Sequence, residues 1–165
     1  MTLQNITIAL TALFWLVACT PLRPRVSFAP GASLKGYQVF IVAPVTDQTG
    51  ARFNLDVSDS LRQQLVRRLR SHGLTAVTEA PEDTDAAAVV IASTLVGFRG
   101  IPMWLQVPSR GATGCELRSE LRDNRTGRKI GEIVAADLSE EFTPLMVLHH
   151  CAHDVADAID RQLRR

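Results

Sequence analysis

An apolar run from Ile6 to Cys19, interrupted only by Thr7 and Thr11, closes on Leu16, Val17, Ala18 and Cys19. Crossing a bilayer takes about 20 apolar residues, so this run is too short to span and has the length of a signal-peptide core. Its n-region, Met1 to Asn5, departs from the usual pattern in carrying no Lys or Arg. A segment of this kind is removed at export and contributes nothing to the folded domain. Residues 1–18 are therefore expected to be a signal peptide, with Cys19 opening the mature chain. Removing 18 of 165 residues leaves 147, room for one domain with a substantial core but not for two. Export also places that domain in an oxidising compartment.

The four closing residues resemble the lipobox of bacterial lipoproteins. In that family the Cys at the cleavage junction takes a diacylglycerol on its sulfur and an acyl chain, commonly palmitate, on its freed amine. Ala18 supplies the small residue that the peptidase pocket requires before it. The resemblance implies lipidation of Cys19 and a membrane anchor. Thr20 stands where an Asp would imply retention in the inner membrane, so the implied location is the outer membrane, facing the periplasm. Residues 19–34 carry Pro21, Pro24, Pro30 and Gly31 with little hydrophobic periodicity, and they read as a lipidated flexible tether. Residues 35–165 then form a single periplasmic domain.

All 18 basic and 17 acidic residues follow Cys19, for a net charge of +1. No global field favours nucleic acid, and no nucleic-acid partner is expected. With Cys19 assigned to lipid, Cys115 and Cys151 remain as an even pair. A disulfide between them and two unpaired buried thiols are both open at this level, because sequence does not say whether their Cβ atoms approach.

Tyr37 to Val45 is a continuous apolar run and reads as a strand buried on both faces. Asp47 and Gly50 mark a turn. From Asp56 or Ser58 to His72, Val57, Leu61, Leu65 and Leu69 recur on one face, and Gly73 stands where a helix takes its left-handed cap. Leu74 to Thr78 reads as a short strand and Ala86 to Phe98, centred on Val89, Val90 and Ile91, as a long one. Cys115 to Arg122 alternates, with Cys115, Leu117, Ser119 and Leu121 on one side and charged residues on the other. Residues 123–127 form a turn, and Lys129 to Leu138 returns beside that strand. A last helix, Pro144 to Leu163, aligns Leu148, Ala152, Val155, Ile159 and Leu163. The expected fold is α+β, a two-layer sandwich: a mixed, mostly antiparallel sheet of four to five strands with two helices on one face.

The lipobox, the proline-containing tether, the Leu61 to Gly73 helix between apolar strands and the Leu117 to Gly127 strand and turn together resemble small envelope lipoproteins. That group includes TolB N-terminal-like and curli-secretion-lipoprotein-like domains and uncharacterised families of similar layout. It implies accessory or assembly work in the envelope, without catalysis. The lipopolysaccharide-assembly lipoprotein is similar in layout too, although Thr20 and Pro21 replace its usual Gly and Phe after the cysteine.

Candidate chemistry is sparse. His149 and His153, four apart on the last helix, have the spacing of paired zinc ligands, but no Glu lies between them in the metalloprotease position. The competing reading pairs His150 with Asp154 and His153 with Asp157 along a solvated face. There is no hydrolase nucleophile motif and no phosphate loop. Arg62, Arg67, Arg68 and Arg70 form a basic stretch that is either solvated or turned to an anionic partner. Residues 99–112 place Met103, Trp104 and Leu105 among prolines; the segment either covers the sheet's own core or meets a partner, and on the partner reading these three are the contacts, with Trp104 the anchor. The expectation is a non-enzymatic, lipid-anchored envelope lipoprotein that binds an envelope protein partner and needs no cofactor. A lipopolysaccharide-assembly lipoprotein partnering a β-barrel is the first alternative, and a metal-dependent envelope enzyme the second.

Overall fold

The structure, a computed structural model, describes residues 23–50, 56–80, 87–99, 113–139 and 144–165. The described elements are β1 (Arg25–Phe28), β2 (Val39–Val42), β3 (Thr46–Asp47), α1 (Val57–Ser71), β4 (Thr75–Val77), β5 (Ala88–Arg99), β6 (Thr113–Asp123), β7 (Lys129–Ser139) and α2 (Pro144–Leu163). The strands form one mixed sheet in the order β1-β7-β6-β5-β2-β4, with β3 also paired to β5. Strands β2, β3 and β4 run parallel to their neighbours, whereas the β5-β6-β7-β1 half is antiparallel. The fold is the expected α+β class, but the sheet has seven strands rather than four to five.

Both helices form because their apolar residues recur at helical spacing, and α1 is capped at both ends. The Asp56 carboxylate accepts from the Asp59 amide at 2.9 Å and starts α1. Gly73, at φ +81°, ends it: the Gly73 and Leu74 amides turn back to the carbonyls of Arg70 and Leu69. Pro144 occupies the first position of α2, where a missing N–H costs nothing. Helix α1 packs toward β4, β2 and β3, and α2 lies over β6 and β7, so the two cover one face side by side. Between them and the sheet lies a core that includes Phe40, Leu61, Leu65, Leu69, Ile91, Leu95, Leu121, Ile133 and Ile159, each at most 1% exposed.

Along β6 the predicted alternation places Cys115, Leu117, Ser119 and Leu121 in that core. Ser119 is the polar exception. It lies directly across from Ser93 on β5, and the two buried hydroxyls bond each other at 2.8 Å. Their mutual bond removes the cost of burying either group alone. The opposite face is split. Val39, Ile41 and Ala88 form a small apolar cluster with Val77 and Val90, whereas β6 and β7 carry a ladder of charged residues.

Two strands depart from the sequence expectation. The segment assigned to the tether contains β1, which pairs with β7 in the register Arg25↔Val134 to Phe28↔Gly131, and Leu34 within the same segment is 1% exposed. Prolines at Pro24 and Pro30 bound this short strand without entering it, and its alternation of exposed and half-buried residues spans only four positions. The turn after Val45 contains β3, whose two residues pair with Thr94 and Leu95.

β1 approaches β7 so closely that a methyl group on Gly131 would meet the Ser27 carbonyl oxygen at 2.7 Å and Phe28 at 2.9 Å. Gly131→Ala is therefore expected to destabilise the protein by about 1–3 kcal/mol, the usual cost of overpacking a fixed site. Gly97→Ala, whose new methyl would make only an ordinary 3.7 Å contact, is the control. Urea unfolding midpoints that shift equally in the two variants would contradict the docking of β1.

Candidate functional site

The residues with chemical potential gather along the seam between α1 and α2 and at the contact of α2 with the sheet. Cys151 is fully buried on α2 and Cys115 lies on β6; the two are joined as a disulfide with their Cα atoms 6.8 Å apart. Closing a loop with a sequence separation of 36 contributes about 3–4 kcal/mol through the entropy of the unfolded chain. Neither sulfur is then a free thiol available as a nucleophile.

At the helix seam, Asp157 is the central group. Arg68 Nε and Nη2 approach its two oxygens at 2.7 and 3.0 Å, and His72 Nε2 lies 2.7 Å from Oδ1. Burial pushes the Asp157 carboxyl up, but the hydrogen bonds from Arg68 and His72 outweigh it and hold the group below its ordinary range. Asp160 extends the row, 3.7 Å from His72 and 2.7 Å from Arg164. This network fastens α2 to α1.

The histidines of α2 feel the carboxylates one helical turn away, His150 with Asp154 and His153 with Asp157, and reach groups beyond the helix as well. His150 Nδ1 lies 3.3 Å from Asp137 Oδ2 on β7, near enough for an ion pair but not aligned for a hydrogen bond, and Asp157 turns to Arg68 and His72 rather than to His153. His149 Nε2 is 3.4 Å from the Ser60 hydroxyl. Burial pushes both His149 and His153 below the ordinary imidazole range, and Arg67 and Arg68 respectively add to the effect. Both rings are therefore harder to protonate than a free imidazole. Among the described residues no group of three or more His, Cys, Asp or Glu side chains is placed to hold a metal ion.

The basic stretch on α1 is largely occupied. Arg62 Nε donates to the Val42 carbonyl at 2.9 Å and its Nη2 to that of Thr78, while Arg70 Nε donates to the Ala76 carbonyl at 2.9 Å. These guanidinium groups reach carbonyls at the end of β2, in β4 and just after it; β4 is an outermost strand, whose outer backbone groups have no strand partner. With Arg68 committed to Asp157, Arg67 and Arg70 are the exposed members of the four, and Arg70 already donates to a strand carbonyl. Helical spacing shows which way these residues point, but not that a strand edge lies within reach of them. Cys19, Met103, Trp104 and Leu105 lie outside the described residues.

No protein-family model matches this chain, and no curated protein matches it. Among solved structures it is similar to PelC from Paraburkholderia phytofirmans, a dodecamer, at a TM-score of 0.60 and 15% identity over 86% of this chain and 99% of that one. It is similar as well to the hypothetical protein CT253 from Chlamydia trachomatis, at a TM-score of 0.53 and 13% identity over 76% of this chain and 98% of that one. An uncharacterized protein matches at a TM-score of 0.52 and 18% identity, covering 79% and 95% of the two chains. At such identities the likeness is one of fold alone.

The two lowered histidines give the seam a pH signature. The unfolded chain takes up protons near the ordinary value of 6.5, while the folded chain resists until lower pH. Stability should thus be fully present above that value and decline as the pH falls from about 7 toward about 5. Asp157 and Asp160, also lowered, act only below their ordinary value of 3.8. His149→Gln with His153→Gln should flatten the urea midpoint profile in the upper window. An unchanged slope in the double variant would contradict the assignment.

Proposed function

We propose that this protein is a non-enzymatic lipoprotein of the bacterial cell envelope, anchored through Cys19 in the outer membrane, with its domain in the periplasm working by assembly. The observation that carries the reading is the fold likeness to PelC, which spans 99% of that chain, combined with PelC being a dodecamer. On this reading the present chain also forms a closed homo-oligomer, and Met103, Trp104 and Leu105 are its contacts with an envelope protein partner.

Three features support binding rather than catalysis. The apolar run ending at Cys19 leads to a lipid anchor. The cysteines of the domain are spent on a disulfide, and the arginines of α1 largely on backbone carbonyls and Asp157. Asp157, His72 and Asp160 work as a clasp between the helices rather than as a set of groups facing an open pocket.

The test is light scattering coupled to size exclusion on the full-length protein extracted in mild detergent, with membrane fractionation of Cys19→Ala alongside. The expected results are a single species of several chains and release of the variant into the soluble periplasmic fraction. A monomer at every concentration would overturn the assembly reading, and a variant still bound to membranes would overturn the anchor.

A further inference from the structure

Several cations of the described residues are engaged by other groups of the chain. Arg62 and Arg70 hold strand carbonyls, Arg68 and Arg164 hold the clasp carboxylates, and Arg118, Arg122 and Lys129 lie in the ion-paired ladder of the open face. Lys35, Arg125 and Arg128 are set apart by sharing one cleft. Among the described residues they make no ion pair, and all three line one cleft of about 430 Å³. The cleft lies where β2 and β5 begin and the β6–β7 hairpin turns, with Tyr37 and Asp123 in its lining.

Its walls are fixed by the backbone. On one side Ala32 N donates to Ala29 O at 2.9 Å and Tyr37 N to Leu34 O at 3.2 Å, while Leu34 anchors the loop in the core. Gly36, at φ +92°, supplies a turn that side-chain-bearing residues rarely adopt. On the other side the hairpin is closed by Gly127 N to Asp123 O at 2.8 Å and Asp123 N to Arg128 O at 2.9 Å. Arg125 and Arg128 therefore project from a turn held in one shape, which lowers the cost of ordering them on a ligand.

Asp123 is the carboxylate in this lining, and its oxygens are already engaged. Oδ1 accepts from the Thr126 amide and hydroxyl, both at 2.7 Å, and Oδ2 from the Tyr37 hydroxyl at 2.8 Å. These bonds, the Thr126 hydroxyl first, lower the pKa of Asp123 to about 2, so it stays ionised as a structural brace of the turn. Three cations against one engaged carboxylate leave the cleft with a positive excess. Guanidinium forks suit phosphate and carboxylate oxygens, and the volume exceeds that of a lone phosphate.

We propose that this cleft binds a multivalent oxyanion of about sugar-phosphate size, gripped by Arg125 and Arg128 with Lys35 contributing from the neighbouring loop. The anion comes either from a soluble molecule or from a lipid headgroup, and the site does not depend on the oligomeric state proposed above.

The test is titration calorimetry of inorganic pyrophosphate into the full-length protein in phosphatidylcholine nanodiscs. Saturable binding that weakens with added salt is expected. Affinity should fall about tenfold or more in Arg125→Ala/Arg128→Ala, as removal of charge-assisted bonds predicts. It should be retained in Arg67→Ala. Adding phosphatidylglycerol to the discs separates the sources: weakened pyrophosphate binding assigns the cleft to lipid headgroups, and unchanged binding assigns it to a soluble anion. No saturable heat, or equal affinity in Arg125→Ala/Arg128→Ala and Arg67→Ala, would overturn the proposal.

Discussion

The structure depends on one-sided burial: two amphipathic helices can hide their apolar stripes only by sharing a single face of the sheet. Leu61, Leu65 and Leu69 of α1 and Val147, Cys151, Val155 and Ile159 of α2 meet Phe40, Val89, Ile91, Leu95, Leu117 and Ile133 of the strands in one continuous core. Truncating one of these large side chains to Ala costs about 2–5 kcal/mol, well above the 0–1 kcal/mol typical of an exposed ion pair on the opposite face. The ladder of Glu116, Arg118, Glu120 and Arg122 therefore keeps the open face soluble, while the core decides where the helices lie. Placing both helices on one side also creates the seam between them, and the polar groups that fall along it must find partners in each other.

That requirement explains how the charged residues are used. Asp157 joins Arg68 and His72 because the helices bring all three to the same line, and Arg62 and Arg70 reach strand carbonyls because α1 lies at the β2 and β4 end of the sheet. The disulfide adds a covalent tie between α2 and β6. Groups that look reactive as a list of residue types are, in three dimensions, the fastenings of the helical layer. Among the cations not used in this way, Lys35, Arg125 and Arg128 share the cleft at the β6–β7 turn.

Sequence periodicity carried the helices well: α2 spans Pro144–Leu163 as its apolar stripe indicates, and α1 ends at the Gly73 cap. β6 was legible because its alternation runs through Cys115, Leu117, Ser119 and Leu121. β1 was not, because four residues between prolines give too short an alternation, and its partner β7 lies more than 100 positions away. The pairing of Asp157 was hidden for a related reason. Spacing along α2 offers His153 one turn away, whereas Arg68 and His72 come from another helix and enter only once the layers are packed. The Ser93 and Ser119 pair could be half seen, since the alternation buries Ser119 but does not identify the hydroxyl facing it. Nothing in residue spacing brought Lys35 together with Arg125 and Arg128.

Intact mass spectrometry of the protein isolated from native membranes tests the proposed lipid anchor at Cys19 and the disulfide of the domain at once. The predicted mass is that of residues 19–165 carrying a diacylglyceryl and an acyl group, lower by the two hydrogens lost on joining Cys115 to Cys151. An unprocessed, unlipidated chain with free thiols at both positions would contradict it.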